Sequence, residues 1–181
     1  MGEILAAGRA VGWDLLNLCV WVKSNGGMGS FYRSRHELYF VFRNGKAQHV
    51  KNVQLGRFGR NRQNVWNYPG ANAFKRKGQA DSLSLHPTIK PVALVADAIL
   101  DSTKRDDIVL DPFVGSGTIF IAAERTGRRG YGIELDGRYV DTAIARWERF
   151  TGRKAQNAKG QEPVPKHGLV LAATIKAALT A

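Results

Sequence analysis

Apolar positions along this chain follow three patterns in turn. Residues 2 to 11 (GEILAAGRAV) suit a short helix that Gly12 would end. LLNLCVWVK (15 to 23) and HELYFVFR (36 to 43) are dense in branched and aromatic residues, as strands are. Their separator, SNGGMGSFYRS, carries three glycines, so it reads as a mobile loop between two strands that pair as neighbours. From 44 to 85 periodicity disappears among Asn, Gly, Arg and Gln, the mark of a large surface loop or an inserted subdomain.

Regularity returns at HPTIKP (86 to 91). Its second proline fits the first turn of a helix through VALVADAILDSTK, with Val92, Val95, Ala96, Ile99 and Leu100 on one face. IVLD (108 to 111) then reads as a buried strand, TIFIAAERTG (118 to 127) as a helix stopped by Gly127, and RRGYGIELD (128 to 136) as a second strand. GRYVDTAIARWERF (137 to 150) gives an amphipathic helix whose inner face holds Tyr139, Val140, Ala143, Ile144 and Trp147. Strand, crossover helix, strand and helix in succession predict a parallel pair in an α/β sheet. Past Thr151 the polar KAQNAKGQEPVPKHG predicts a linker, and LVLAATIKAALT either a helix packing back on the body or an unattached tail.

Charge changes the picture more than composition does. With 181 residues, 44% of them hydrophobic, the chain has material for one core of ordinary domain size. Its net charge is +12, which favours a polyanionic partner, nucleic acid first and an anionic membrane surface second. Between Leu38 and Ala80 there is no acid, while Arg43, Lys46, Lys51, Arg57, Arg60, Arg62, Lys75, Arg76 and Lys77 supply most of the excess. The one cysteine, Cys19, excludes an internal disulfide and reads as a buried thiol. Neither a basic-then-apolar leader nor a membrane-length apolar run is present, so a soluble cytoplasmic protein is expected.

The candidate chemistry lies in DPFVGSGT (111 to 118). A glycine loop after a strand brings backbone N–H groups and a helix N-terminus to the carboxyl end of the sheet. No Lys follows Gly117, and Phe120 stands where the third glycine of a dinucleotide fingerprint belongs, so both phosphate-binding readings weaken. Asp111 places a carboxylate that would repel phosphate but tolerate an ammonium or a sulfonium. Glu134 follows 23 residues later, at the end of the next strand, where an acid accepts both hydroxyls of a ribose. A ligand with a ribose, an amino-acid-like cation and no pyrophosphate fits this pair, and S-adenosylmethionine is the commonest such molecule.

In that setting DPFVGSGT, the downstream GYGIELDGRYVDTAIAR and the upstream HPTIKP, in this order, resemble the amino-directed DNA methyltransferases of the permuted beta class. The resemblance covers roughly residues 1 to 150. It implies a Rossmann-like α/β fold with circularly permuted motif order, and methyl transfer from S-adenosylmethionine to the exocyclic amine of adenine (N6) or cytosine (N4). It assigns Asp111, Pro112, Phe113, Gly115, Ser116, Gly117 and Thr118 to the methionine side of the cofactor and Glu134 to its ribose. His86, Pro87, Thr88, Lys90 and Pro91 match the motif beside the cofactor, where Thr88 and Lys90 would meet its carboxylate. Residues 44–85 take the place of the target-recognition region, with Arg57, Arg60, Arg62, Lys75, Arg76 and Lys77 on DNA phosphates and Phe58, Trp66, Tyr68 and Phe74 as wedges or stacking surfaces. The implied domains are 1–43, the end of the catalytic subdomain; 44–85, recognition; 86–150, cofactor binding; and 151–181, linker and C-terminal helix. Double-stranded DNA is the expected partner, and the family admits homodimers.

One part of the family pattern is absent. The catalytic motif, Asp/Asn/Ser-Pro-Pro-aromatic, requires a Pro-Pro pair, and the sequence has none. That motif stacks the flipped base and hydrogen-bonds its amine for attack on the sulfonium methyl. DPF at 111 to 113 belongs to the cofactor loop and does not replace it. The resemblance also puts the motif's strand and its neighbour between the glycine-loop strand and the two edge strands, so the central strands are expected to be missing. The simplest expectation is a carboxyl-terminal portion of a longer enzyme that alone folds poorly and transfers no methyl group. A non-catalytic cofactor- and DNA-binding module stands beside it, and an RNA or protein methyltransferase is a weaker third reading.

Overall fold

The computed structural model describes residues 1–46, 48–57, 59–70 and 89–156. The chain divides into two compact units, Met1–Phe74 and Lys75–Ala181.

In the first unit, helix α1 (Gly2–Ala10) precedes the long strand β1 (Trp13–Val22), which pairs antiparallel with β2 (His36–Asn44). The branched and aromatic density that predicted these strands serves their shared face: Cys19 and Trp21 are buried, and Cys19 lies opposite Tyr39. A register shift between Leu15 and Asn17 breaks the ladder near its start. Ion pairs of Lys23 with Glu37 (2.7 Å) and Arg43 with Asp14 (2.5 Å) brace the two ends. The aperiodic segment contains an element that its pattern did not predict. After a single 3-10 turn (Gln54–Gly56), strand β3 (Val65–Asn67) joins the free edge of β1 in parallel, giving the order β2-β1-β3. Trp66 drives this pairing. It is buried, its ring lies 5.4 Å from that of Tyr39, and the Trp21 indole N–H donates to the Tyr68 carbonyl at 2.9 Å.

The second unit follows the predicted alternation: α2 (Val92–Ser102), β4 (Ile108–Asp111), α3 (Thr118–Thr126), β5 (Arg129–Gly132) and α4 (Gly137–Thr151). Strands β4 and β5 pair in parallel with Asp111 opposite Gly132. Pro91 stands just before α2 and its carbonyl accepts the first helical bond from Val95. Gly127, at φ 67°, ends α3, and the Asp136 side chain caps α4 by accepting from the Arg138 N–H at 2.9 Å. One apolar cluster joins Val114, Phe120, Ala143 and Trp147, and a second joins Ala96, Ile99 and Ala122.

Two expectations need correction. Ala96 and Ile99 of α2 are buried with Val92 and Val95 packed against them, but Leu94, which lies outside the predicted face, is buried as well, and Leu100 is only half-buried. IVLD is a strand but not a buried one, since Ile108 and Leu110 are 54% and 61% exposed. A run of apolar residues reports what a strand can bury and says nothing of what is there to cover it. Among the described residues no helix is long and apolar enough to cross a membrane.

Candidate functional site

Strands β4 and β5 end side by side, and the chain leaves both at their carboxyl ends. From β4, Asp111 turns its side chain onto the following loop, where Oδ1 accepts from the Phe113 N–H at 2.9 Å. From β5 the chain runs through Ile133, whose N–H donates to the Asp111 carbonyl at 2.9 Å, to Glu134. Glu134 is a brace as well as an acid: Oε2 accepts from the Gly115 N–H at 2.7 Å and Oε1 from the Asp136 N–H at 3.0 Å. The two carboxylates anticipated from spacing thus sit on either side of one glycine loop. A carboxylate has room for about four hydrogen bonds, so each keeps acceptor capacity after these contacts. Exposed apolar side chains flank them, Phe113 at 84% and Leu135 at 91%.

The loop's other side chains face inward. Ser116 and Thr118 are buried, at 4% and 7% exposure. The Thr118 hydroxyl donates to the Lys90 carbonyl at 3.3 Å, which ties the end of HPTIKP to the start of α3. Ser116 is held by Arg146 of α4, whose Nη1 donates to its carbonyl at 2.5 Å and its hydroxyl at 2.7 Å. Burial, and then the neighbouring Arg149, lower the proton affinity of Arg146 from its ordinary value. Gly117 has φ 78°, and a Cβ there would stand 2.5 Å from the Ala143 Cβ. Its missing side chain therefore serves the contact of loop and α4, where the sequence suggested approach to a ligand.

Sequence reasoning missed Arg146. A signal existed, since this cation lies three residues after Ala143 and seven after Tyr139, on the side of the helix read as apolar. His86, Pro87 and Thr88 lie outside the described residues, as do Phe58, Phe74, Lys75, Arg76 and Lys77. Residues 157–181, with most of the expected linker and terminal helix, also lie outside them.

Of the candidate DNA contacts in the first unit, Arg57 is exposed, and Arg60 and Arg62 are half-buried. Arg62 lies over the Trp66 ring at 5.4 Å and donates to the Tyr68 hydroxyl at 2.8 Å. Trp66 is 8% exposed, which corrects its reading as an open stacking surface. Together Asn61, Arg62, Gln63, Val65, Asn67 and Tyr68 border a shallow depression of about 280 Å³ over that tryptophan.

Comparison with known proteins bears on this arrangement. Residues 4–145 match a family model described as DNA methylase, of the N6/N4 type. The type II methyltransferase M2.DpnII of Streptococcus pneumoniae is 36% identical over 157 residues, covering 81% of this chain and 57% of that protein. M2.LlaDCHI of Lactococcus lactis subsp. cremoris is 34% identical over 155 residues, covering 80% and 56%. The chain therefore spans a little over half the length of these relatives. The solved structure of the M1.HpyAVI–SAM complex superimposes with a TM-score of 0.63 at 27% identity, covering 80% of this chain and 68% of that one.

Proposed function

The chain belongs to the N6/N4 DNA methylase family, and from that premise we infer that it holds S-adenosylmethionine and DNA for methylation of an exocyclic amine of adenine or cytosine. One observation carries the donor half of this reading: Asp111 and Glu134 flank a single glycine loop at the carboxyl ends of a parallel strand pair. Glu134 would accept the ribose hydroxyls with the lone pairs left by its bonds to Gly115 and Asp136. Asp111 and the loop backbone would hold the methionine part, with the negative charge set to attract its ammonium and sulfonium. Phe113 and Leu135 offer apolar surface for the adenine ring. Ser116, Gly117 and Thr118 would act from beneath, shaping the loop while pointing into the protein. Pro112 would turn the chain out of β4, and His86, Pro87, Thr88 and Lys90 would complete the carboxylate side. When bound, the cofactor supplies an electrophilic methyl group.

DNA recognition falls to the basic segment, with Arg57, Arg60, Arg62, Lys75, Arg76 and Lys77 on phosphates. Presentation of the base requires the Pro-Pro motif that this sequence lacks. Ile108 and Leu110 present an uncovered apolar face on β4, and among the described residues that strand pairs with β5 alone. We propose that the motif-bearing strand, from a further segment of the same enzyme, pairs along the other edge of β4 and that an element accompanying it packs over this face. The setting is the cytoplasm of a bacterial, phage or plasmid host. The absent motif also favours a second reading, a non-catalytic cofactor- and DNA-binding module.

Calorimetric titration of the chain with S-adenosylmethionine tests the donor site directly. Binding is expected, and it should weaken at least roughly tenfold in Asp111→Asn, which removes the charge but keeps the shape. Equal binding by that variant refutes the role given to Asp111. Methyl transfer to DNA that appears only when the motif-bearing segment is added supports the enzyme reading, and transfer in neither case supports the module.

A further inference from the structure

We propose that Arg146 is a positioning residue for the glycine loop, gripping Ser116 from α4 so that the loop keeps the shape that receives the methyl donor; this rests on the donor-site reading above. The loop needs such a grip. Ser116 stands between two glycines in the left-handed region, Gly115 at φ 53° and Gly117 at φ 78°. Glycine enters and leaves that region at little cost, so local preference does not hold the three peptides in place. Beyond one local turn bond, from the Gly117 N–H to the Val114 carbonyl at 3.0 Å, each is fixed from outside. Gly115 is tied by the Glu134 carboxylate at 2.7 Å, Ser116 by Arg146 at two points, and Gly117 is packed against Ala143.

The chemistry of the Arg146 contact separates it from ordinary core packing. Its guanidinium is half-buried, and its partners among the described residues are the carbonyl and hydroxyl of one serine, with no carboxylate. Desolvating a cation against neutral oxygens is a poor source of stability, and an apolar side chain of similar volume would serve the packing as well or better. What the guanidinium adds is direction, because a planar fork fixes the acceptors that it meets. Ala143 lies one turn earlier on the same helix, so α4 sets both Ser116 and Gly117.

Hydrogen exchange of the full chain, read at the amides of residues 115–118 without ligand, tests the grip in Arg146→Gln, Arg146→Lys and Ser116→Ala. Calorimetry with S-adenosylmethionine on the same proteins tests its purpose. Arg146→Gln should speed exchange of the loop amides roughly tenfold and weaken donor binding by a similar factor, while the α2 amides of Leu94 to Ile99 stay as in the parent. Arg146→Lys, which keeps the charge but loses the fork, should fall between, and Ser116→Ala, which loses one acceptor, should show a smaller effect. Unchanged loop exchange overturns the proposal. So does equal loosening of α2, which would make Arg146 a general structural residue, and so does a loosened loop with undiminished binding. If the parent chain itself fails to bind the donor, the donor-site reading falls, and loop-restricted loosening still supports the grip of Arg146 on Ser116.

Discussion

Replacing Gly117 with alanine separates the two reasons for a glycine in a cofactor loop, the backbone it permits and the space it leaves. At φ 78° an alanine bears the strain of the left-handed region, roughly 1–2 kcal/mol. Its methyl would also lie 2.5 Å from the Ala143 Cβ and 2.8 Å from the Ala143 Cα. The second atom is backbone, so no rotamer relieves the clash, and α4 must shift away from the loop at a further cost of about 1–3 kcal/mol. Gly152 is the control. Its φ is 73°, yet a Cβ there meets nothing within 4 Å, so Gly152→Ala carries the backbone strain alone. Native-state hydrogen exchange at the amides of α3 and α4 reads both variants without assuming that the two units unfold together. Gly117→Ala should raise exchange there by a further 5- to 150-fold, on the order of the 1–3 kcal/mol that the clash adds. Equal acceleration by the two variants would refute the packing role and return Gly117 to the ligand-approach reading.

Three further outcomes follow from the same geometry. Tyr39 has a buried hydroxyl with no hydrogen-bond partner among the described residues, and burial raises its pKa, so Tyr39→Phe should stabilise the first unit by about 1 kcal/mol in urea unfolding; destabilisation would show that the hydroxyl has a partner. The Arg138 hydrogen bonds hold Asp136 below the ordinary aspartate range. Its contribution is therefore complete above that range and fades as pH falls through the lowered folded value, so Asp136→Asn should lower stability at neutral pH and flatten the acid limb of a stability–pH curve, with the two proteins converging in acid; equal stability at neutral pH would remove the role given to the charge. Neutralising Arg57 and Arg60 together should reduce the magnitude of the salt slope of DNA binding by about 2, and an unchanged slope would remove both from the phosphate contacts.

Legibility differed between the two units for physical reasons. In the second, each local signal agrees with its neighbour: an apolar strand ends at Asp111, a left-handed Gly127 ends the helix, and a second strand ends before Glu134. In the first unit β3 was invisible, because three residues carry no period and Val65–Asn67 is a strand only through its partner Val20–Val22 on β1. Trp66 shows the same dependence. Among arginines and asparagines an aromatic looks like a stacking surface, and only the fold brings it beside Tyr39 and buries it. The direction of short polar side chains was equally hidden. Ser116 and Thr118 read as ligand contacts from their place in DPFVGSGT, whereas their hydroxyls meet Arg146 and Lys90 within the protein.

That inward turn shifts where specificity for the donor must arise. With Ser116 and Thr118 bonded below the loop and Gly117 packed on Ala143, the groups left at the carboxyl ends of the strands are the two carboxylates, backbone amides and the exposed Phe113 and Leu135. Backbone amides offer donors to any anion, so they do not distinguish one cofactor from another. On the proposed reading Asp111 and Glu134 would supply the discrimination, by repelling phosphate and by accepting from hydroxyls and ammonium. Glu134 would do this while bonded to Gly115, so a change at the proposed ribose end would be felt at the glycine loop through one side chain. A Glu134→Gln substitution would accordingly alter two things together, the proposed acceptor for ribose and the anchor of Gly115. Asp111→Asn is the cleaner probe, because its one loop contact, to the Phe113 N–H, can be accepted equally well by an amide oxygen.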